Sequence, residues 1–122
     1  MLPATLMFLG KRVQAPARRL IDAGAAVALA TDFNPGTSPT QHFPTVLMLG
    51  VSQLSLSAAE SLVAATVNGA AALGLAESVG QIAPGYAADL ALFDAEDYRE
   101  LSYWVGAPIC RRTWARGKPC YW

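Results

Sequence analysis

Asp32 is the residue of this chain best suited to chemistry. It closes the apolar run Val27-Ala-Leu-Ala-Thr31 and is followed at once by Phe33-Asn-Pro-Gly-Thr37. A carboxylate oxygen is a hard donor suited to Zn²⁺ or Fe²⁺, and it can also accept a proton from a metal-bound water. Such a water ionises near neutrality, its pKa falling from about 15.7 to about 7. Asn34, Gly36 and Thr37 make a second group, because a turn just past the run exposes amides, a side-chain amide and a hydroxyl on one side. Those groups suit a small polar ligand. Both patterns also have an ordinary explanation. An aspartate before Asn-Pro-Gly can cap the turn by accepting from the Asn34 or Gly36 amide, and Asn-Pro-Gly serves turn geometry in proteins with no ligand at all. On spacing alone the turn-capping aspartate is the more economical account.

Other reactive side chains carry weaker cases. His42 is the one histidine, and beside Phe43 and Pro44 it reads as packing or surface at a loop or helix start. Asp89 reads as a residue that fixes a turn or strand. Arg111, Arg112, Arg116 and Lys118 crowd the last hairpin with Trp114, Tyr121 and Trp122 between them, a mixture seen on nucleic-acid surfaces. A solvated hairpin edge, charged against stray pairing, explains the same residues. Cys110 and Cys120 could face each other across that hairpin; two cysteines and one histidine make neither a disulfide framework nor a zinc-finger pattern. Reduced thiols and a cytoplasmic location follow as the expectation.

The elements that position Asp32 come next. A short apolar run without polar alternation predicts a strand buried on both faces of a parallel sheet, and a carboxylate at its C-terminal end stands where barrel enzymes keep their chemistry. Before it, Pro16 opens a short helix with Leu20 and Ile21 inward and Gly24 as its left-handed stop. Met1–Leu9 has room for the stub of a preceding strand. After the turn, residues 44–54 predict a second helix, weakened by Gly50. Ser57-Ala-Ala-Glu60 is a capping box that opens a third, along which Leu62, Val63, Thr66, Val67, Ala70 and Leu73 recur at helical spacing until Gly74. Short strands then replace helices: Val79–Ile82 and Asp89–Phe93 around Pro84-Gly85, and Ile109–Trp114 joined to Pro119–Trp122 through Arg116-Gly117-Lys118. A boundary near residue 76 divides residues 1–75 from 76–122.

Composition fits a globular protein, with 53% hydrophobic residues and nine basic side chains balancing nine acidic ones. The zero net charge offers no electrostatic case for nucleic acid. The apolar first ten residues are interrupted by Pro3 and lack the basic leading region of a secretory signal. No stretch approaches the roughly 20 apolar residues that span a bilayer.

The segment Val27–Pro39 resembles the last barrel strand of the imidazolonepropionases, metal-dependent amidohydrolases of histidine breakdown. Gly80-Gln-Ile-Ala-Pro-Gly-Tyr-Ala-Ala-Asp-Leu-Ala-Leu-Phe-Asp94 resembles the piece with which many amidohydrolases leave the barrel and complete a small β-sandwich. The tail Glu100-Leu-Ser-Tyr-Trp-Val-Gly106 is also similar to that family rather than its relatives. The resemblance implies an α/β fold. Residues 1–75 would be the C-terminal part of a TIM-type hydrolase barrel and residues 76–122 part of the β-sandwich. A complete barrel takes about 250 residues, so this chain of 122 would be one end of a larger enzyme. The resemblance further implies hydrolysis of 4-imidazolone-5-propanoate to N-formimidoyl-L-glutamate, with Zn²⁺ or Fe²⁺/Fe³⁺ as cofactor. Asp32 would be metal ligand and proton shuttle, with Asn34, Gly36 and Thr37 on the substrate. The full-length form would be a homodimer acting on a small molecule, with no nucleic-acid or membrane partner. The remaining metal ligands, histidines of earlier strands, lie outside this sequence, so the fragment alone is expected to show no turnover. Two alternatives stay open: a noncatalytic amidohydrolase remnant acting as a binding or oligomerising domain, and another amidohydrolase such as a cyclic-amidine or purine deaminase.

Overall fold

A computed structural model describes residues 1–120. Five α-helices come first: α1 (Pro3–Phe8), α2 (Ala17–Asp22), α3 (Phe43–Leu54), α4 (Ala58–Ala65) and α5 (Val67–Ala72). Three strands follow, β1 (Leu90–Phe93), β2 (Cys110–Ala115) and β3 (Lys118–Cys120), with a 3-10 helix at Tyr98–Ser102 between the first two.

The helix starts and stops follow local chemistry. Ser57 and Glu60 form both halves of a capping box on α4, and Gly24 and Gly74 take positive φ just past α2 and α5, where only glycine avoids a steric cost. Glu60 also grips α2: the Arg18 guanidinium donates to both its carboxylate oxygens, at 2.9 and 3.0 Å. That fork, followed by the Ser57 amide, holds the Glu60 carboxyl down at about 2.

Gly50 does not break α3, which runs unbroken from Phe43 to Leu54. Its missing side chain is what the packing requires. A Cβ there would lie 2.7 Å from Ser61 Oγ on α4 and 3.0 Å from Leu29 Cδ1. Ser61, fully buried, donates to the Leu47 carbonyl at 2.9 Å and so ties α4 to α3. Leu29, Val46, Leu49, Leu54, Leu56 and Ala64 fill the core between these helices.

Several sequence expectations are corrected. Met1–Leu9 is no strand stub; Pro3 starts helix α1, as proline at a first helical turn can, since its φ is already helical. Only Met1 keeps strand character: its nitrogen donates to the Ala28 carbonyl and its carbonyl accepts from the Ala30 amide, the bonding pattern of a parallel pair. The run 27–31 forms no regular ladder, because a single residue pairs with it among the described residues. Its burial alternates, with Val27 and Leu29 buried and Ala30 exposed, since α3 and α4 cover one face only. On α2 the inward residues are Ala17 and Ile21, while Leu20 is exposed. The long third helix is broken at Thr66, whose φ of −115° and ψ of −86° leave the helical region. Its inner face is Ser61, Ala64 and Ala70, whereas Val63, Val67 and Leu73 are exposed. On α4 small residues sit inward because that helix lies too close to Gly50 of α3 to admit larger ones.

The sheet is antiparallel, in the order β1-β2-β3. Residues 79–82 contribute no strand. Gly80, at φ +96°, instead presses against the α4–α5 break, where a Cβ would meet Ala70 Cβ at 2.7 Å and the Thr66 carbonyl at 2.9 Å. β2 and β3 form the expected hairpin, through a two-residue loop at Arg116 and Gly117, both at positive φ. That loop matches the right-handed twist of the strands. The expected second arm included Tyr121 and Trp122, which lie outside the described residues. Thr113, not Cys110, stands opposite Cys120, while Cys110 pairs with Phe93. The two thiols therefore do not face each other, and both are free. The 3-10 helix, capped by Asp97 and Glu100, packs back on α3 and α4.

Candidate functional site

Three supports hold the backbone that leads into Asp32. Met1 pairs with Ala28 and Ala30 on one side. On the other, the Leu29 amide donates to the Ala64 carbonyl at the end of α4, and Asn68 Nδ2 donates to the Val27 carbonyl. The break at Thr66 comes just after Ala64, whose carbonyl accepts from the run rather than from a following helical amide. Beyond it, the fully buried Ser38 donates its hydroxyl to the Thr31 carbonyl at 2.6 Å.

Asp32 itself sits at φ +52°. Aspartate tolerates this left-handed conformation better than most residues, yet it is uncommon enough to mark a constrained position. Its carboxylate is half-buried and accepts from Thr5 Oγ1 of α1 at 2.8 Å. It does not cap the turn. Asn34 caps it instead. The Asn34 Oδ1 accepts from the Gly36 amide at 3.0 Å and the Thr37 amide at 2.8 Å, and its Nδ2 donates to the Asp32 carbonyl at 2.7 Å and to Thr37 Oγ1 at 3.0 Å. Asn34 and Ser38 then pair backbone to backbone and close the loop. A carboxylate released from turn duty by a neighbouring asparagine is available for other bonds, which spacing alone does not reveal.

The structure thus brings Asp32, Asn34, Gly36 and Thr37 together at one end of the run 27–31. The Asn34 amide is consumed within the turn, whereas Gly36 is exposed and Thr37 half-buried. Thr5 and Ser38 are residues that sequence reasoning missed. Thr5 lies 27 positions from Asp32, and no local pattern links them. His42 stands at the N-terminal cap of α3 and shares a hydrogen bond with Thr45 at 2.9 Å. Asp89 accepts from the Arg116 amide at 2.7 Å and so anchors the hairpin loop. Arg112 lies over the Trp114 ring at 6.0 Å, and Arg111 pairs with Asp94, so these cations serve the sheet itself.

No group of three or more histidine, cysteine or acidic side chains gathers around a common point among the described residues. Asp32 offers a metal one hard carboxylate, which fits a single position in a coordination shell and no more. A cavity of about 590 Å³ opens on the flank of the run at Leu29, Thr31, Phe43, Ala70, Leu73 and Gly80 and is chiefly apolar. Asp32 is not among its walls. No helix of the described residues is long and apolar enough to cross a membrane.

The model of the amidohydrolase family matches residues 3–120. This chain belongs to the amidohydrolase family. Among curated amidohydrolase relatives, the imidazolonepropionase of Solibacter usitatus is 44% identical over 121 residues, covering 99% of this chain and 29% of that protein. That of Rubrobacter xylanophilus is 52% identical over 106 residues, covering 87% of this chain and 25% of that protein. The chain therefore spans between a quarter and a third of the length of the curated relatives it matches. Among solved amidohydrolase structures, a Xanthomonas campestris adenosine deaminase with bound zinc superposes with a TM-score of 0.83 at 26% identity, over 97% of this chain and 30% of the other. Escherichia coli guanine deaminase superposes with a TM-score of 0.76 at 24% identity, over 99% of this chain and 33% of the other.

Proposed function

We propose that these residues are the C-terminal part of an imidazolonepropionase, which hydrolyses 4-imidazolone-5-propanoate to N-formimidoyl-L-glutamate in histidine degradation. The observation that carries the reading is the Asp32 carboxylate, held at the end of a run buried on one face and free of its own turn, in a chain 44–52% identical to imidazolonepropionases. In this reading residues 1–75 complete a TIM-type barrel and residues 76–122 join its β-sandwich. The parallel bonding of Met1 with Ala28 and Ala30 supports the first assignment. The antiparallel β1-β2-β3 sheet supports the second. The assembled protein would be cytoplasmic and homodimeric.

Asp32 would hold one Zn²⁺ or Fe²⁺/Fe³⁺ ion together with ligands from outside these residues. Such an ion supplies hydroxide near neutral pH and polarises the ring carbonyl. Asp32 would take the proton of the attacking water and return it toward the ring nitrogen as the amide bond opens. The exposed Gly36 backbone and the Thr37 hydroxyl would contact the substrate, while Asn34, bonded to the Gly36 amide and to that hydroxyl, sets the turn that presents them. One carboxylate does not hold a catalytic metal, so these 122 residues alone should not turn over substrate.

The test fuses this chain to the preceding part of the Solibacter relative, replacing its own matching segment. Loss of imidazolone propanoate should be rapid in the fusion and fall by at least about 1,000-fold in Asp32→Asn, the scale on which removal of a catalytic group acts. An Asp32→Asn fusion that keeps its rate would sink the proposal. A second reading, purine deamination, draws on the likeness to the adenosine deaminase structure; release of ammonia from adenosine or guanine, with no action on the imidazolone, would establish that instead.

A further inference from the structure

We propose that Thr5 is a positioning residue for Asp32, fixing one carboxylate oxygen so that the other is aimed at the bound cation. The inference rests on the reading of Asp32 as a metal ligand. Thr5 Oγ1 donates to Asp32 Oδ2 at 2.8 Å, whereas Oδ1 has no hydrogen-bond donor among the described residues.

The backbone and the side chain of Asp32 are held by separate devices. Its left-handed backbone is pinned from both sides, by Ser38 on the Thr31 carbonyl and Asn34 on the Asp32 carbonyl. That leaves the carboxylate free to rotate about two side-chain torsions. Thr5 removes this freedom. Its branched Cβ restricts its own rotation, and α1 starts two residues after Met1, which is bonded to Ala28 and Ala30 of the same run. Donor and acceptor are therefore tied to one piece of backbone at both ends. A hydroxyl on the outer oxygen of a ligating carboxylate sets its orientation before the ion arrives, and loss of such a partner typically weakens metal binding by about 10–100-fold.

The experiment uses the fusion described above, with zinc affinity measured by chelator competition and folding followed by circular dichroism. Thr5→Val keeps the shape and removes the donor; it should weaken zinc binding by about 10–100-fold without loss of helical signal. Thr5→Ser restores the donor and should return the affinity to within about threefold of the parent. A Thr5→Val protein that holds zinc as tightly as the parent would overturn the inference, as would equal losses in Thr5→Val and Thr5→Ser. Asp32→Asn separates the two questions: if it leaves zinc affinity unchanged, the metal role of Asp32 itself fails. A second measurement needs no metal. In thermal unfolding of the 122-residue chain, Thr5→Val and Asp32→Ala, which leaves no side-chain acceptor, should together shift the midpoint by less than the sum of their separate shifts. Strictly additive shifts would show that the two side chains do not interact, and would overturn the inference whatever the fusion does.

Discussion

Replacing Gly50 with alanine sets helix propensity against packing, and the structure says which wins. Alanine is favoured over glycine in a helix interior by about 1 kcal/mol, so local preference predicts a more stable α3. The new methyl would, however, sit 2.7 Å from Ser61 Oγ and 3.0 Å from Leu29 Cδ1. Overpacking of a close contact costs about 1–3 kcal/mol. The Ser61 hydroxyl, fully buried and bonded to the Leu47 carbonyl, would have to swing away, and a buried polar group left unpaired costs about 1–3 kcal/mol more. The balance is a destabilisation of about 1–5 kcal/mol, whose middle corresponds to a fall of about 10 °C in the unfolding midpoint for a chain of this size. Thermal denaturation followed by far-ultraviolet circular dichroism measures it. Adding Ser61→Ala to Gly50→Ala should recover part of the loss, since the closer of the two clashes disappears. A midpoint that rises in Gly50→Ala would refute the reasoning, because helix propensity would then have outweighed the α3–α4 contact. The effect bears on function: Leu29 stands three residues before Asp32, and whatever displaces it moves the carboxylate.

Stability should also depend on pH through Glu60. Its folded pKa, about 2, lies below the ordinary value of 4.5 because of Arg18 and the Ser57 amide. The contribution is therefore present above about pH 4.5 and is lost progressively as pH falls toward 2. Arg18→Gln should flatten the fall in melting temperature between about pH 6 and about pH 3, and an unchanged slope would show that the pair contributes nothing. The thiols give a simpler check. Because Cys120 faces Thr113 rather than Cys110, mild oxidation should leave the monomer without an internal disulfide; a loss of two mass units with no reductant present would contradict the strand register.

What was legible in the sequence was local. Ser57 and Glu60 lie three residues apart, so their reciprocal bonds need nothing beyond one helical turn. Gly24 and Gly74 stop helices through their own φ, and Arg116-Gly117 closes a hairpin through the twist of its flanking strands. The family, too, was readable from contiguous stretches, above all Val27–Pro39 and Gly80–Asp94. Tertiary structure decided everything that depends on a partner distant in sequence. It chose Ser61 and Ala64 over Val63 as the inner face of α4, because closeness to α3 rewards small side chains over larger apolar ones. It turned Val79–Ile82 from an expected strand into a segment pressed by Gly80 against the α4–α5 break. It left the run before Asp32 without a ladder, since a strand exists only where a neighbour supplies its hydrogen bonds. It also gave the turn to Asn34 and the Asp32 carboxylate to Thr5, 27 residues away. Residue types and short spacings determined which elements could form and which side chains had suitable chemistry; only the folded chain, by bringing remote groups within bonding distance, decided which of those side chains were spent on structure.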